Sequence, residues 1–311
     1  MKIFNILFPV FFVIALGYIS KRSGYISVNE KDGFKKIVFG LLFPIMVFDI
    51  MMSCQISQDT LWIVIYVFLA FIVMWFIAWM ARHWTGEEYS HISSYLMLTV
   101  EGGSVALPLY LSLVGDGFAS TTITFDIAGC LVGFVLVPIM VSRQSAASAE
   151  IKDIFHTIIT NNFVIAVTLG LLLNLTGFYA WFVTCPIFDA YDGAMEFMTG
   201  GLSGLLLFLL GYDFSLSRDT FLPILKLSAV RIFGSVLVII GFFVFFPHLV
   251  SQQAFLIAII VYFMSPTGFG VPPQLTPLHQ SSKDAEFCST FVSTYMVVTL
   301  IVYAITAMIF L

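Results

Sequence analysis

Ten apolar stretches follow one another along the chain, each close to the length that crosses a bilayer and each joined to the next by a short polar loop. A spanning helix needs about 20 predominantly apolar residues, and a bilayer admits only structures that satisfy their own backbone. The expected fold class is an all-α membrane protein with ten transmembrane helices. Segments 1 to 10 cover residues 3–19, 36–52, 60–80, 91–114, 120–141, 154–175, 191–211, 220–246, 252–278 and 285–310. Composition agrees: 60% of residues are hydrophobic, 10% are charged and the mean hydropathy is +1.02. Soluble domains carry roughly 25% charged residues.

The loops sort by charge. Lys21, Arg22, Lys31, Lys35 and Lys36 follow segment 1, Arg82 follows segment 3, and Arg143 and Lys152 follow segment 5. Arg218 follows segment 7 and Lys283 follows segment 9, while the loops after segments 2, 4, 6 and 8 hold no Lys or Arg. Ten of the thirteen basic residues thus gather on one side, which the positive-inside rule makes cytoplasmic. Lys226 and Arg231 fall within segment 8, and Lys2 alone lies outside. A multi-pass cell-membrane protein with both termini extracytoplasmic is expected. The opening apolar run ends at Lys21-Arg22, whereas a signal peptide carries its charge in front, so segment 1 is read as retained. Nothing basic enough for nucleic acid is present. The four cysteines have no metal-ligand spacing. Cys130 and Cys288 read as small hydrophobes in apolar runs, and a disulfide between Cys54 and Cys185 stays open.

Residues 142–153 form a small, polar, charged loop at the chain's midpoint, expected as a cytoplasmic linker. Residues 1–141 would then be one repeat (segments 1–5) and 154–311 a second (segments 6–10). Five crossings per half make the halves oppositely oriented. Ser23-Gly-Tyr echoes Thr176-Gly-Phe, and Phe48-Asp-Ile echoes Tyr212-Asp-Phe. The fourth segment of each half is interrupted. Segment 4 reads Thr99-Val-Glu-Gly-Gly-Ser-Val-Ala-Leu-Pro108, and segment 9 reads Met264-Ser-Pro-Thr-Gly-Phe-Gly-Val-Pro-Pro273. Laying Gly103 on Gly268 puts Pro108 on Pro273. Paired breaks in corresponding places point to a transporter's binding site.

The expected chemistry follows from the backbone. In segment 4, residues 91–100 can form a first half-helix, Gly102-Gly103 free the chain, Ser104 can cap the second half, and Pro108 falls near its first turn. In segment 9, Pro266, Gly268 and Gly270 break the helix, Thr267 lies within the break, and Pro272-Pro273-Gln274 suit the opening turn of a new half. New N-termini carry about half a positive charge and can cradle an anion. The carbonyl ends suit a cation or proton. Glu101 stands at the first break, where a charge is costly and usually functional; it can carry a proton, touch substrate or help ligate Na⁺. Asp126 is the second coupling candidate, although it can equally lie solvated near an outer end. Arg231 can meet an anion, pair with an acid or snorkel inward. Thr290 and Ser293, within Ser289-Thr-Phe-Val-Ser293-Thr294, can line the site or serve helix packing.

No catalytic constellation, metal cluster or nucleotide-binding loop is legible. Asp189-Ala-Tyr-Asp192 is a single acidic copy in an outside loop, and the five histidines are scattered. An enzyme is the least favoured class, no cofactor is expected beyond H⁺ or Na⁺ as a coupling ion, and transport would run on a gradient.

Taken together, these residues resemble the auxin efflux carrier family of bacterial permeases, which are related to the plant PIN-type carriers. The resemblance rests on the opening Phe4-Asn-Ile-Leu-Phe-Pro-Val-Phe-Phe-Val-Ile-Ala-Leu-Gly-Tyr with its basic loop, on Phe43-Pro44, on Gly103 and Pro108, and on Ser289-Thr-x-x-Ser293. It implies the fold of bile-acid symporters and sodium/proton antiporters, with segments 4 and 9 crossing in a transport domain (segments 3–5 and 8–10). It implies a scaffold of segments 1, 2, 6 and 7, often dimeric, and elevator-like movement of organic anions such as malate, malonate or auxin. One departure matters: the family often has asparagine then Thr-Gly at the first break, where this chain has Glu101-Gly-Gly. That puts direct anion binding there in doubt and favours proton coupling, or a neutral or cationic substrate. The expected function is proton-coupled transport of a small organic anion across the lipid bilayer. The alternatives are a sodium/proton antiporter and a membrane-embedded metabolite sensor.

Overall fold

A computed structural model describes residues 2–54, 58–144, 159–160, 162–213 and 221–310. Most of the linker 142–153, including Lys152, lies outside them, as do the start of segment 6 and Arg218. Among the described residues the chain is helical and has no strand. Five helices are long and apolar enough to cross a membrane: Val28–Ser53, Gln58–Met80, Phe188–Tyr212, Phe221–Phe245 and Lys283–Phe310. Shorter apolar helices cover Gly102–Val114, Val164–Leu175 and Gln253–Phe263, and Lys2–Arg22 is a further helix of 21 residues. The protein is an all-α, membrane-embedded molecule.

Segments 1, 3, 8 and 10 fold where apolar length dictates. Segment 2 begins earlier than its apolar run, because Ser27 and Glu30 close a capping box. The Glu30 N–H donates to Ser27 Oγ at 3.3 Å, and the Ser27 N–H donates to Glu30 Oε2 at 2.8 Å. Reciprocal capping satisfies two otherwise orphaned donors. Segment 7 departs from expectation in the opposite way. It divides into Phe188–Thr199 and Leu202–Asp213, with Gly200-Gly201 between them, where helix propensity is lowest.

The helices sort into two groups. In the first, Lys2–Arg22 packs along Leu202–Asp213, and Asn162–Leu175 packs along Phe43–Ser53. These are segments 1 with 7 and 6 with 2. Each pairing is closed by a glycine with no room for a Cβ. A Cβ on Gly17 would strike the Phe208 carbonyl and lie 2.9 Å from Tyr212 N, and one on Gly170 would lie 2.7 Å from Phe48 O. Gly24 and Gly177, which end segments 1 and 6, both adopt left-handed φ, 69° and 73°. Asn174 then caps the end of segment 2, its Nδ2 donating to the carbonyls of Met52 and Cys54 at 2.9 and 2.6 Å. In the second group, Gln58–Met80 packs on Ala119–Leu131 and on Phe221–Phe245, and the latter packs on Ser282–Phe310. The Tyr66 hydroxyl donates to Val238 O at 2.6 Å and ties segment 3 to segment 8. Cys54 and Cys185 are free thiols, so the open disulfide does not form.

Candidate functional site

Segment 9 breaks at the expected residues 266–270, but segment 4 breaks at residues 98–101, and Gly102-Gly103 open a helical turn rather than free the chain; the inner halves of both are not the expected helices. Residues 91–100 hold only a 3-10 stretch, Ser93–Met97. Beyond the second break come a four-residue turn, Val271–Gln274, and a 3-10 turn, Thr276–Leu278. The halves that run away from the breaks toward the opposite face are regular: Gln253–Phe263 on one side, and a π turn Gly102–Ala106 leading into Leu107–Val114 on the other. Pro108 falls where the π turn passes into the regular helix, and its missing N–H fits that irregularity in the ladder.

The two breaks are joined directly. The Glu101 N–H donates to Pro266 O at 2.7 Å, and the Gly268 N–H donates to Thr99 Oγ1 at 3.3 Å. The Glu101 carboxylate completes the join: Oε2 accepts from the Phe269 N–H at 2.5 Å and Oε1 accepts from Ser104 Oγ at 2.5 Å. Glu101, not Ser104, occupies the N-cap of the second half-helix, and Ser104 serves the carboxylate. The amide ends that were expected to cradle a free anion therefore already hold the protein's own carboxylate.

The carbonyl ends are equally taken. Arg231 is fully buried, at 0% exposure. Its Nη1 donates to Leu96 O at 2.8 Å and to Thr267 Oγ1 at 3.1 Å. Its Nη2 donates to Thr99 O at 3.0 Å and to Ser265 O at 3.1 Å. The Thr267 hydroxyl donates to Leu96 O as well, and the guanidinium lies 5.0 Å from the Tyr295 ring centroid. Arg231 thus neither snorkels nor pairs with an acid. It caps both first halves, and because Leu96 O and Thr99 O point at it they are withheld from an α-helical ladder. Two supporting hydroxyls carry no sequence signal of their own: Ser235 Oγ donates to Phe263 O at 2.6 Å, and Thr299 Oγ1 donates to Met264 O at 2.7 Å.

A cavity of about 440 Å³ lies against this crossover. Its crossover wall includes Thr99, Glu101, Gly102, Gly103, Gly268, Gly270 and Gln274, with Asp126 and Cys130 from segment 5. The facing wall is Phe39 and Phe43 of segment 2 with Thr160 and Asn162 of segment 6. The cavity therefore separates the two helix groups. Thr160 and Asn162 are exposed and adjoin the midpoint loop, so the cavity opens on the face that bears the basic loops.

Asp126 is not solvated at an outer end. It is 9% exposed, accepts from the Tyr262 hydroxyl at 2.8 Å, and presses on Gly102 so closely that a Cβ there would land on its carboxylate. Glu101 and Asp126 are thus brought to one wall. Thr290 and Ser293 are buried but are not among the residues lining the cavity. Pro266 contributes its carbonyl to Glu101, and Pro272 and Pro273 lie in the turn Val271–Gln274. No protein-family model matches the chain, and no curated protein matches it.

Proposed function

We propose that the chain is a gradient-driven transporter of a small organic acid, and that Glu101 carries the coupling proton. The observation that carries this reading is the position of Glu101: one carboxylate spans both breaks and lines the cavity between the two helix groups. The volume falls within the roughly 300–1,000 Å³ of small-molecule sites, far beyond the need of a bare ion. An ionised Glu101 repels an incoming carboxylate, whereas a protonated one donates a hydrogen bond to it. An organic anion can therefore bind only together with a proton, which makes coupling obligatory.

Ten spans in two inverted repeats are part of this reading. The pairings of segments 1 with 7 and 6 with 2 exchange under the repeat, and Gly17–Gly170 and Gly24–Gly177 share one register. Segments 1, 2, 6 and 7 then serve as scaffold and the remainder as the moving body, in the manner of the auxin efflux carriers, with the cavity facing the cytoplasm. The carboxylate pair Glu101 and Asp126, without Lys or Arg among the lining residues, favours a second reading, sodium/proton exchange. Reconstitution in liposomes with labelled malate, malonate and indole-3-acetate, under imposed proton or sodium gradients, separates the two. Proton-driven accumulation of an acid supports the first reading, and sodium-for-proton exchange with no acid moved replaces it by the second.

A further inference from the structure

The cavity wall is acidic, yet one cationic side chain stands at its rim. Lys35 Nζ lies 5.6 Å from the ring centroid of Phe269 and 6.0 Å from that of Phe39. Phe39 lines the cavity, and Phe269 donates its N–H to Glu101. The capped helix beginning at Val28 fixes this placement, because Lys35 lies one turn before Phe39 on the helix that delivers Phe39 and Phe43 to the cavity.

The same rim carries a second polar group. Gln274 lines the cavity, and its buried Oε1 makes no hydrogen bond. A buried amide oxygen left unsatisfied is costly, so a ligand that satisfies the group gains affinity. The two ends of an amide exchange by a simple flip, so the side chain can offer either a donor or an acceptor. Gly270, which follows Phe269, stands beside this amide: a Cβ there would lie 3.9 Å from Gln274 Nε2.

We propose that Lys35 and Gln274, flanking the Phe269–Gly270 turn, form the subsite that selects a carboxylate substrate. Lys35 supplies the positive charge that draws the anion past two acidic residues, and the Gln274 amide donates to one of its oxygens. The assignment rests on the organic-acid reading above. It also explains how an acidic cavity can prefer an anion: charge selection occurs at the rim and proton transfer at the crossover.

The test is the concentration dependence of proton-driven malate, malonate and indole-3-acetate uptake in proteoliposomes. Lys35→Gln should raise KM about tenfold, a loss of about 1.4 kcal/mol, with the maximal rate within about twofold. Lys35→Arg should stay near wild type, and Gln274→Ala should raise KM several-fold. Independently of how any variant folds, the wild-type KM should rise several-fold from low to high ionic strength, because a rim charge is screened. Uptake whose KM ignores both Lys35→Gln and salt overturns the Lys35 assignment alone. Failure of the wild type to move any of the three acids overturns the transport reading and this subsite with it.

Discussion

Two side chains resolve the electrostatics of the crossover. Arg231 takes the carbonyl ends and Glu101 takes the amide ends, so the breaks that looked like open ion sites are closed by the chain itself. Arg231→Gln removes the fork that reaches Leu96, Thr99 and Ser265 and leaves buried carbonyls unpaired. Since each such group costs about 1–3 kcal/mol, a loss of at least about 3 kcal/mol is expected, read as a lower unfolding midpoint in detergent. Arg231→Lys should recover only part of it, because a point charge cannot serve the same fork. Gly102→Ala should impair transport, since its methyl displaces Asp126. The acidic residues were legible as candidates because charge inside an apolar segment is rare. The partners of Arg231 were not, because backbone carbonyls leave no mark on sequence, and Ser235 and Thr299 look like ordinary small polar residues in helices.

At the level of elements, the pairings of segment 1 with 7 and of segment 6 with 2 depend on glycines that leave no room for a Cβ. Gly17→Val and Gly170→Val should each destabilise by about 1–3 kcal/mol through overpacking, and by similar amounts, because each forces a side chain into a neighbouring backbone. Gly24→Ala and Gly177→Ala meet no steric obstacle but should cost about 1–2 kcal/mol for the left-handed φ. Thermal unfolding of the four variants checks both statements. The breaks beside Gly102 and at Pro266 were readable from glycine and proline, and the segment ends from charge and apolar length. The missing inner half-helix of segment 4 was not readable, since the carbonyls of Leu96 and Thr99 turn to Arg231 of segment 8. Gly200-Gly201 did signal a third interruption, hidden by the apolar run around it.

Across the molecule, the cavity sits where one helix group meets the other, with the Phe43 ring against Gly103. The face bearing the basic loops should admit a membrane-impermeant maleimide to Cys130, with labelling lost in Cys130→Ala; reagent applied to the opposite face should leave Cys130 unlabelled. That asymmetry is invisible in sequence, where both breaks look alike. Coupling itself is best read by recording proton and acid fluxes together in proteoliposomes containing the wild type and Glu101→Gln. Wild type should take up acid and protons at a fixed ratio, and Glu101→Gln should keep its fold and Cys130 labelling yet lose acid accumulation driven by the proton gradient. Accumulation by Glu101→Gln at the wild-type rate and ratio would contradict Glu101 as the proton carrier.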